Sequence, residues 1–267
     1  MREVRLNLRF RDGAFSAGVE VPEGPIRAVD LLPMLHELND ALIGVAVAEA
    51  ESQGRRVSCR AGCGACCRQI VPISEIEARY LADLIAAMPN EQRERVTARF
   101  SDVVAKLSAS GLLEVPSDPG ERHRLGMDYF RLGLPCPFLE NESCSIHDHR
   151  PASCREYLVT SPAANCSAPT GENIQMVELP AKLSLALYRF SDGQGEERTG
   201  RGGVLSENAE PDASRARCAR IDGEPARWMP LPRLLEWAAE HRDDPQPTAR
   251  GPELFRGFMT RLTKRGT

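Results

Sequence analysis

The chain has 267 residues, 42% of them hydrophobic, with a formal net charge of −4. That length buries a sizeable core as one large domain or two small ones, so cysteines are not needed to rescue an undersized fold. The negative balance argues against a surface built to cover nucleic acid. The first ten residues alternate charged and apolar side chains, which is not the pattern of a secretory signal. The most apolar stretch, 41–50, is short for a membrane span and runs into Glu49 and Glu51. The expected setting is therefore soluble, reducing and cytoplasmic, with no membrane partner. In such a setting clustered cysteines mean metal or redox chemistry more often than disulfides.

Residues 4–21 read as a β-hairpin. Val4, Leu6, Leu8 and Phe10 alternate with polar residues, as do Phe15, Ala17, Val19 and Val21, and Asp12-Gly13 is a favoured two-residue turn. That turn sets Phe10 against Phe15, Leu8 against Ala17, Leu6 against Val19 and Val4 against Val21. The next segment carries Leu35, Leu38, Leu42 and Val45 at helical spacing, with Asp30 as its expected N-cap and Gly54-Arg55-Arg56 as its end.

Four cysteines then fall within nine residues, Cys59, Cys63, Cys66 and Cys67. Adjacent cysteines struggle to meet the geometry of a disulfide with each other. Thiolates on one short loop can instead converge on a cation or cluster. Gly62 and Gly64 allow the tight bends this requires.

Two helices follow. Ser74 with Glu77 forms a capping box, and Ile76, Tyr80, Leu84, Ile85 and Met88 form a stripe. Pro89-Asn90 opens the second, with Val96, Phe100, Val103 and Leu107 on one side. Residues 114–126, rich in Pro, Asp and Gly, read as a loop. The second cysteine group is Cys136, Cys144, Cys154 and Cys166, at long irregular spacings that only a fold can gather. Further on, Leu179, Leu183, Leu187 and Phe190 suggest one helix, 231–241 and 252–262 two more, and 191–226 a polar excursion. Cys218 lies in that excursion and reads as an uninvolved thiol.

Eight cysteines thus form the candidate ligand set. They suit two four-cysteine sites or one larger cluster, and spacing alone does not separate zinc from iron–sulfur. Tidy zinc knuckles would show two C-x2-C pairs, whereas this chain has one, Cys63 to Cys66. The crowded run favours a polynuclear iron–sulfur cluster, a four-iron, four-sulfur cluster first, with zinc or iron as the alternative. Cys59-x3-Cys63-x2-Cys66 also spells the three-cysteine motif of radical S-adenosylmethionine enzymes. Ala65 stands where that family has an aromatic residue, and the helices that follow do not alternate with strands as a barrel requires. His147 and His149 follow Cys144 closely; with eight thiols already present, hydrogen bonding or packing is their expected work. Arg150 and Arg155 bracket Cys154 and would either compensate thiolate charge or pair with Glu156 or Glu140.

The set Cys59-x3-Cys63-Gly64-Ala65-Cys66-Cys67, Pro135-Cys136-Pro137-Phe138-Leu139, Cys144-Ser145-Ile146 and Arg150-Pro151-x2-Cys154-Arg155 resembles the YkgJ-like CxxxCxxCC cysteine-cluster family, described as zinc- or iron-chelating. The resemblance covers about residues 57–168 and implies metal or iron–sulfur binding by Cys59, Cys63, Cys66, Cys67, Cys136, Cys144, Cys154 and Cys166. A similar cluster occurs in flagellin lysine methylases, which implies a protein-modifying role. His147 stands where such proteins commonly have Tyr, which leaves it an aromatic packing role or a place among the ligands.

The sequence therefore predicts a mainly helical α+β protein in three parts. Residues 1–56 form a hairpin and helix extension, 57–168 a loop-rich cysteine-cluster metal domain, and 169–267 a helical C-terminal extension with a long polar loop. The expected function is metal binding with a redox or protein-modifying use, against a structural zinc module for protein interaction. Whether it is an enzyme, and which protein is its partner or substrate, stay open.

Overall fold

In the computed structural model, described for residues 1–10, 13–116, 118–190, 219–221, 224–226 and 228–263, the hairpin forms in a register two residues from the expected one. Strands β1 (Arg2–Phe10) and β2 (Gly13–Val21) set Leu8 against Phe15, Leu6 against Ala17 and Val4 against Val19. Because side chains alternate faces with a period of two, a two-residue shift leaves the same residues on the same face. The apolar pattern therefore fixes the parity of the pairing and not its register. Residues 11–12, which join the strands, lie outside the described residues.

Strand β3 (Pro25–Arg27) leads through a 3-10 turn, Ala28–Leu31, into α1 (Leu32–Ser52). Asp30 is inside that turn and is not the N-cap. Its Oδ2 accepts from the Arg27 backbone N–H at 2.9 Å, and Arg27 Nη2 donates to its Oδ1 at 2.7 Å. Ala28, Val29 and Leu31 are buried together, so winding begins ahead of Asp30. The run 28–52 is long and apolar enough to cross a membrane, with a mean hydropathy of 1.3 over its window, which corrects the sequence expectation. Leu31, Leu32, Leu35, Leu38, Leu42, Ala46 and Ala50 are all buried in the protein. That face is consumed by packing.

Strand β4 (Pro72–Ser74) feeds α2 (Glu75–Ala86) through the expected capping box, in which Ser74 Oγ accepts from the Glu77 N–H and Glu77 Oε2 accepts from the Ser74 N–H. Next come α3 (Asn90–Ala109) and α4 (Pro119–Arg131). The last replaces the expected loop. Asp118 caps it by accepting from the Glu121 N–H, and Pro119 occupies a first-turn position where its missing N–H costs nothing. The Pro and Asp that suggested a loop are the start of a helix that buries Leu125 and Tyr129.

The remaining elements are short. They are β5 (Leu139–Glu140), β6 (Ser143–Cys144), α5 (Ala152–Glu156), α6 (Leu183–Arg189), β7 (Ala219–Ile221), β8 (Glu224–Ala226), β9 (Trp228–Pro230), α7 (Leu234–Glu240), β10 (Thr248–Arg250) and α8 (Gly251–Thr263). The protein is a mainly helical α+β fold, as expected. Its described strands pair antiparallel, two by two: β1 with β2, β10 with β3, β4 with β9, β5 with β6 and β7 with β8. Among the described residues no parallel pair exists from which a β/α barrel could be built.

Two apolar clusters carry most of the packing. One joins the hairpin and α1 to α6 and α8, with Ile76 and Ala152 reaching in from the middle of the chain. The second joins α2 and the start of α3 to β9 and α7, and Phe138 and Ile146 belong to it. Phe138 is 1% exposed and meets Phe100 edge to face at 5.3 Å. The second cysteine segment thus has apolar anchors of its own, more than its irregular sequence suggests.

Candidate metal centre

The loop of Cys59 is tied to the segment ahead of Cys166. The Ser58 N–H donates to Val159 O at 2.9 Å, and Ser58 Oγ donates to Ser161 O. Gly62, at φ +79°, turns the chain in a region that disfavours side chains. A 3-10 turn, Ala65–Arg68, then presents Cys66 and Cys67. Gly64 serves a different purpose from the expected bend. Its φ of −92° is open to any residue, but a Cβ there would meet Leu139 Cδ1 at 2.9 Å and the Glu142 Cα at 3.2 Å. The missing side chain lets the first cysteine loop rest on the β5–β6 hairpin.

Two further links lock that contact. The Cys136 N–H donates to Cys67 O at 2.7 Å. Arg68 grips Glu142 with two hydrogen bonds, 3.0 and 2.7 Å, while donating to Gly64 O at 2.9 Å. Cys144 lies in β6 opposite Leu139, and Cys154 sits in α5 with its N–H on Pro151 O at 3.0 Å. The fold therefore gathers both cysteine groups, although 69 positions separate Cys67 from Cys136.

Burial raises the thiols of Cys59, Cys136, Cys144, Cys154 and Cys166, Cys136 to about 12 and Cys154 well above the ordinary cysteine range. Repulsion between thiolates adds to this, and its pattern maps the centre. Cys59 and Cys166 feel Cys63 and Cys66, whereas Cys136 and Cys154 feel Cys144 and Cys66. Cys66 is common to both sets. Its own thiol is raised first by its hydrogen bond with Cys67 and then by burial. Arg150 opposes these shifts at Cys59, Cys66, Cys144 and Cys154, so its guanidinium faces both groups.

Arg155 does something else. It is buried, and its Nη1 bonds both Asp40 oxygens at 2.9 and 2.7 Å while Nε donates to Arg150 O at 2.9 Å. It pairs with neither Glu156 nor Glu140; the first accepts from the Ser184 N–H and hydroxyl, and the second holds Arg99 at 2.6 Å. The two arginines differ in their elements: Arg150 precedes α5 and its Nε donates to His147 O at 3.1 Å, whereas Arg155 lies within α5 and reaches α1.

His147 is 63% exposed with Asp148 3.4 Å from its Nδ1, which removes the expected aromatic packing role. His149 takes the expected hydrogen-bonding role, its Nδ1 2.7 Å from the Tyr80 hydroxyl. Tyr157, three residues past Cys154, was not singled out by the sequence. Its phenol is raised by burial, and also by Cys166, Cys66 and Cys59, which places it against the centre. Gln69 donates to it at 3.3 Å. Cys218 lies outside the described residues.

Among the described residues no three His, Cys, Asp or Glu side chains stand as tightly as a bound ion draws its ligands. The cysteines are gathered as free thiols, eight of them among the described residues. The donor chemistry fits zinc or iron: soft sulfurs gathered on short loops, with a guanidinium at hand to offset thiolate charge.

No curated protein and no solved structure matches the chain. Residues 58–175 match the family model CxxCxxCC, described as a "Putative zinc- or iron-chelating domain". The match takes in both cysteine groups and ends just short of Met176, whose bridge to Val159 closes the segment. The stretch that carries the gathered thiols is thus similar to the zinc- or iron-chelating domain that this family model describes.

Proposed function

We propose that Cys59, Cys63, Cys66, Cys67, Cys136, Cys144, Cys154 and Cys166 together hold an iron–sulfur centre, with redox chemistry or modification of a partner protein as its use. The observation that carries this reading is the Cys136 N–H donating to Cys67 O at 2.7 Å, which brings the second cysteine group onto the vicinal pair. The upward push that Cys66 exerts on Cys59, Cys166, Cys136, Cys144 and Cys154 accords with it. A vicinal pair at the junction of two thiol sets suits a shared polynuclear centre better than two remote single-ion sites. The bound centre would supply electron transfer or Lewis acidity. The chain's part is to gather the thiols, exclude water with Phe138 and Ile146, and set Arg150 against the resulting negative charge.

A second reading has its own support. With one member of the vicinal pair assigned to each set, the thiols divide four and four, which is the count of two closed zinc sites. Such a module would serve protein interaction. Anaerobic purification with iron, zinc and acid-labile sulfide analysis decides. Brown protein with visible absorption, iron and sulfide supports the first reading; colourless protein with two zinc ions and no sulfide overturns it in favour of the second.

A further inference from the structure

Two polar residues on the buried face of α1 have no part in the cysteine centre. Asn39 is completely buried and His36 is 5% exposed. They are three residues apart and share one helix face. Among the described residues, Asn39 Nδ2, Asn39 Oδ1 and His36 Nε2 have no hydrogen-bond partner. Buried polar groups left unmet are costly enough that native proteins pair nearly all of them.

The surroundings are specific. The His36 ring stands edge-on to Tyr80, centroids 5.9 Å apart, and Tyr80 in turn bonds His149. Asp40, the next residue of α1, holds Arg155 of α5. Burial holds His36 down at about 3, with the charges of Arg155 and His149 adding to the effect, so its ring is neutral and lies beside both. The orphaned atoms therefore sit where α1 meets α2 and α5, one turn or less from the Arg155–Asp40 pair.

The donor and acceptor count selects the ligand. Asn39 leaves both an N–H donor and a carbonyl acceptor unmet. A cation would satisfy the carbonyl and repel the amide hydrogens; an anion would do the reverse. Water donates and accepts, and buried waters bridge this kind of orphaned group. We propose that α1, α2 and α5 enclose a structural water site, in which one ordered water bonds the Asn39 amide and His36 Nε2. The water fixes α1 against the helix that carries Cys154, joining the apolar core to the cysteine centre by a polar contact beneath the Arg155–Asp40 pair.

The test uses the purified, metal-loaded full chain with 15N-labelled asparagine, and it reads magnetisation transfer from long-lived water to the Asn39 side-chain amide. Transfer with the sign of a slowly exchanging water is expected, together with a fall of several degrees in the thermal midpoint of Asn39→Leu. Absence of transfer in the wild-type protein overturns the proposal. So does an Asn39→Leu protein that melts higher than wild type, because removing unmet polar groups from a dry site stabilises it. If Asn39→Leu does not fold, the wild-type transfer decides.

Discussion

Arg155 and Asp40, 115 residues apart, are joined through one guanidinium nitrogen that lies within 2.9 Å of both carboxylate oxygens. The arginine side chain is 6% exposed and the aspartate 56%, so the pair straddles the boundary between core and surface. It ties the middle of α1 to the five-residue helix that carries Cys154.

Removing one partner of a buried charge leaves the other uncompensated. Asp40→Asn should cost about 1–2 kcal/mol, because the asparagine oxygen still accepts from Arg155 and the Arg150 and Asp148 carbonyls stay in place. Arg155→Leu removes the Asp148 and Arg150 carbonyl contacts as well, and should cost ~3 kcal/mol. Denaturant unfolding of the two variants checks the order; equal losses would show that the carbonyl contacts contribute little.

Gly64→Ala should damage the centre without touching a thiol. The added methyl meets Leu139 and the backbone of Glu142, so the cysteine loop must lift off the β5–β6 hairpin. A destabilisation of about 1–3 kcal/mol is expected for such overpacking. Metal content per chain should fall in parallel. Full metal content in a stable Gly64→Ala protein would show that the loop can bind metal away from the hairpin.

Cys66→Ser should lose more metal than any other single cysteine change, since Cys66 faces both thiol sets. Cys218→Ser should leave metal content unchanged. Elemental analysis of purified variants compares them directly, and equal losses from Cys66→Ser and Cys218→Ser would refute the eight-cysteine assignment.

Acid should weaken the fold through His36. Its folded value lies near 3, below the ordinary 6.5. Between those values the unfolded chain binds the proton and the folded chain does not. Stability is therefore held above about pH 6.5 and lost as pH falls towards 3, by at most ~1.4 kcal/mol per pH unit for one proton. Thermal melts of wild type and His36→Phe across pH 4 to 7 test it: the variant's curve should be flatter over that window.

Stripping the metal should loosen the cysteine segments selectively. Residues 58–67 and 147–168 are built from short turns and five-residue elements, so ligand binding contributes to their order. Helix α2 opens on a capping box, and both α2 and α3 have buried stripes. Hydrogen exchange on loaded and stripped protein should show deprotection of the first two regions, little change in α2 and α3, and intermediate change near Phe138 and Ile146, which the apolar core retains. Uniform protection after stripping would mean that the scaffold is preformed.

What the sequence determined by itself is what local chemistry decides. Ser74 and Glu77 close a capping box within one turn, so α2 begins where their spacing says. Alternation in 4–21 fixed which hairpin residues face inwards, because that choice depends on parity alone. The identity and number of the thiols pointed to zinc or iron chelation, since soft donors in that density suit those metals. Other local signals are ambiguous: Asp118-Pro119 suits a loop as well as a helix start, and burial of Leu125 and Tyr129 selects the helix. Tertiary structure decided the rest. The hairpin register, the pairing of β4 with β9, the convergence of Cys136, Cys144 and Cys154 on Cys66, and the opposite fates of Arg150 and Arg155 all depend on partners far away in sequence. Such choices are made by shared burial and by the pairing of buried polar groups, and these energies exist only once distant segments have met.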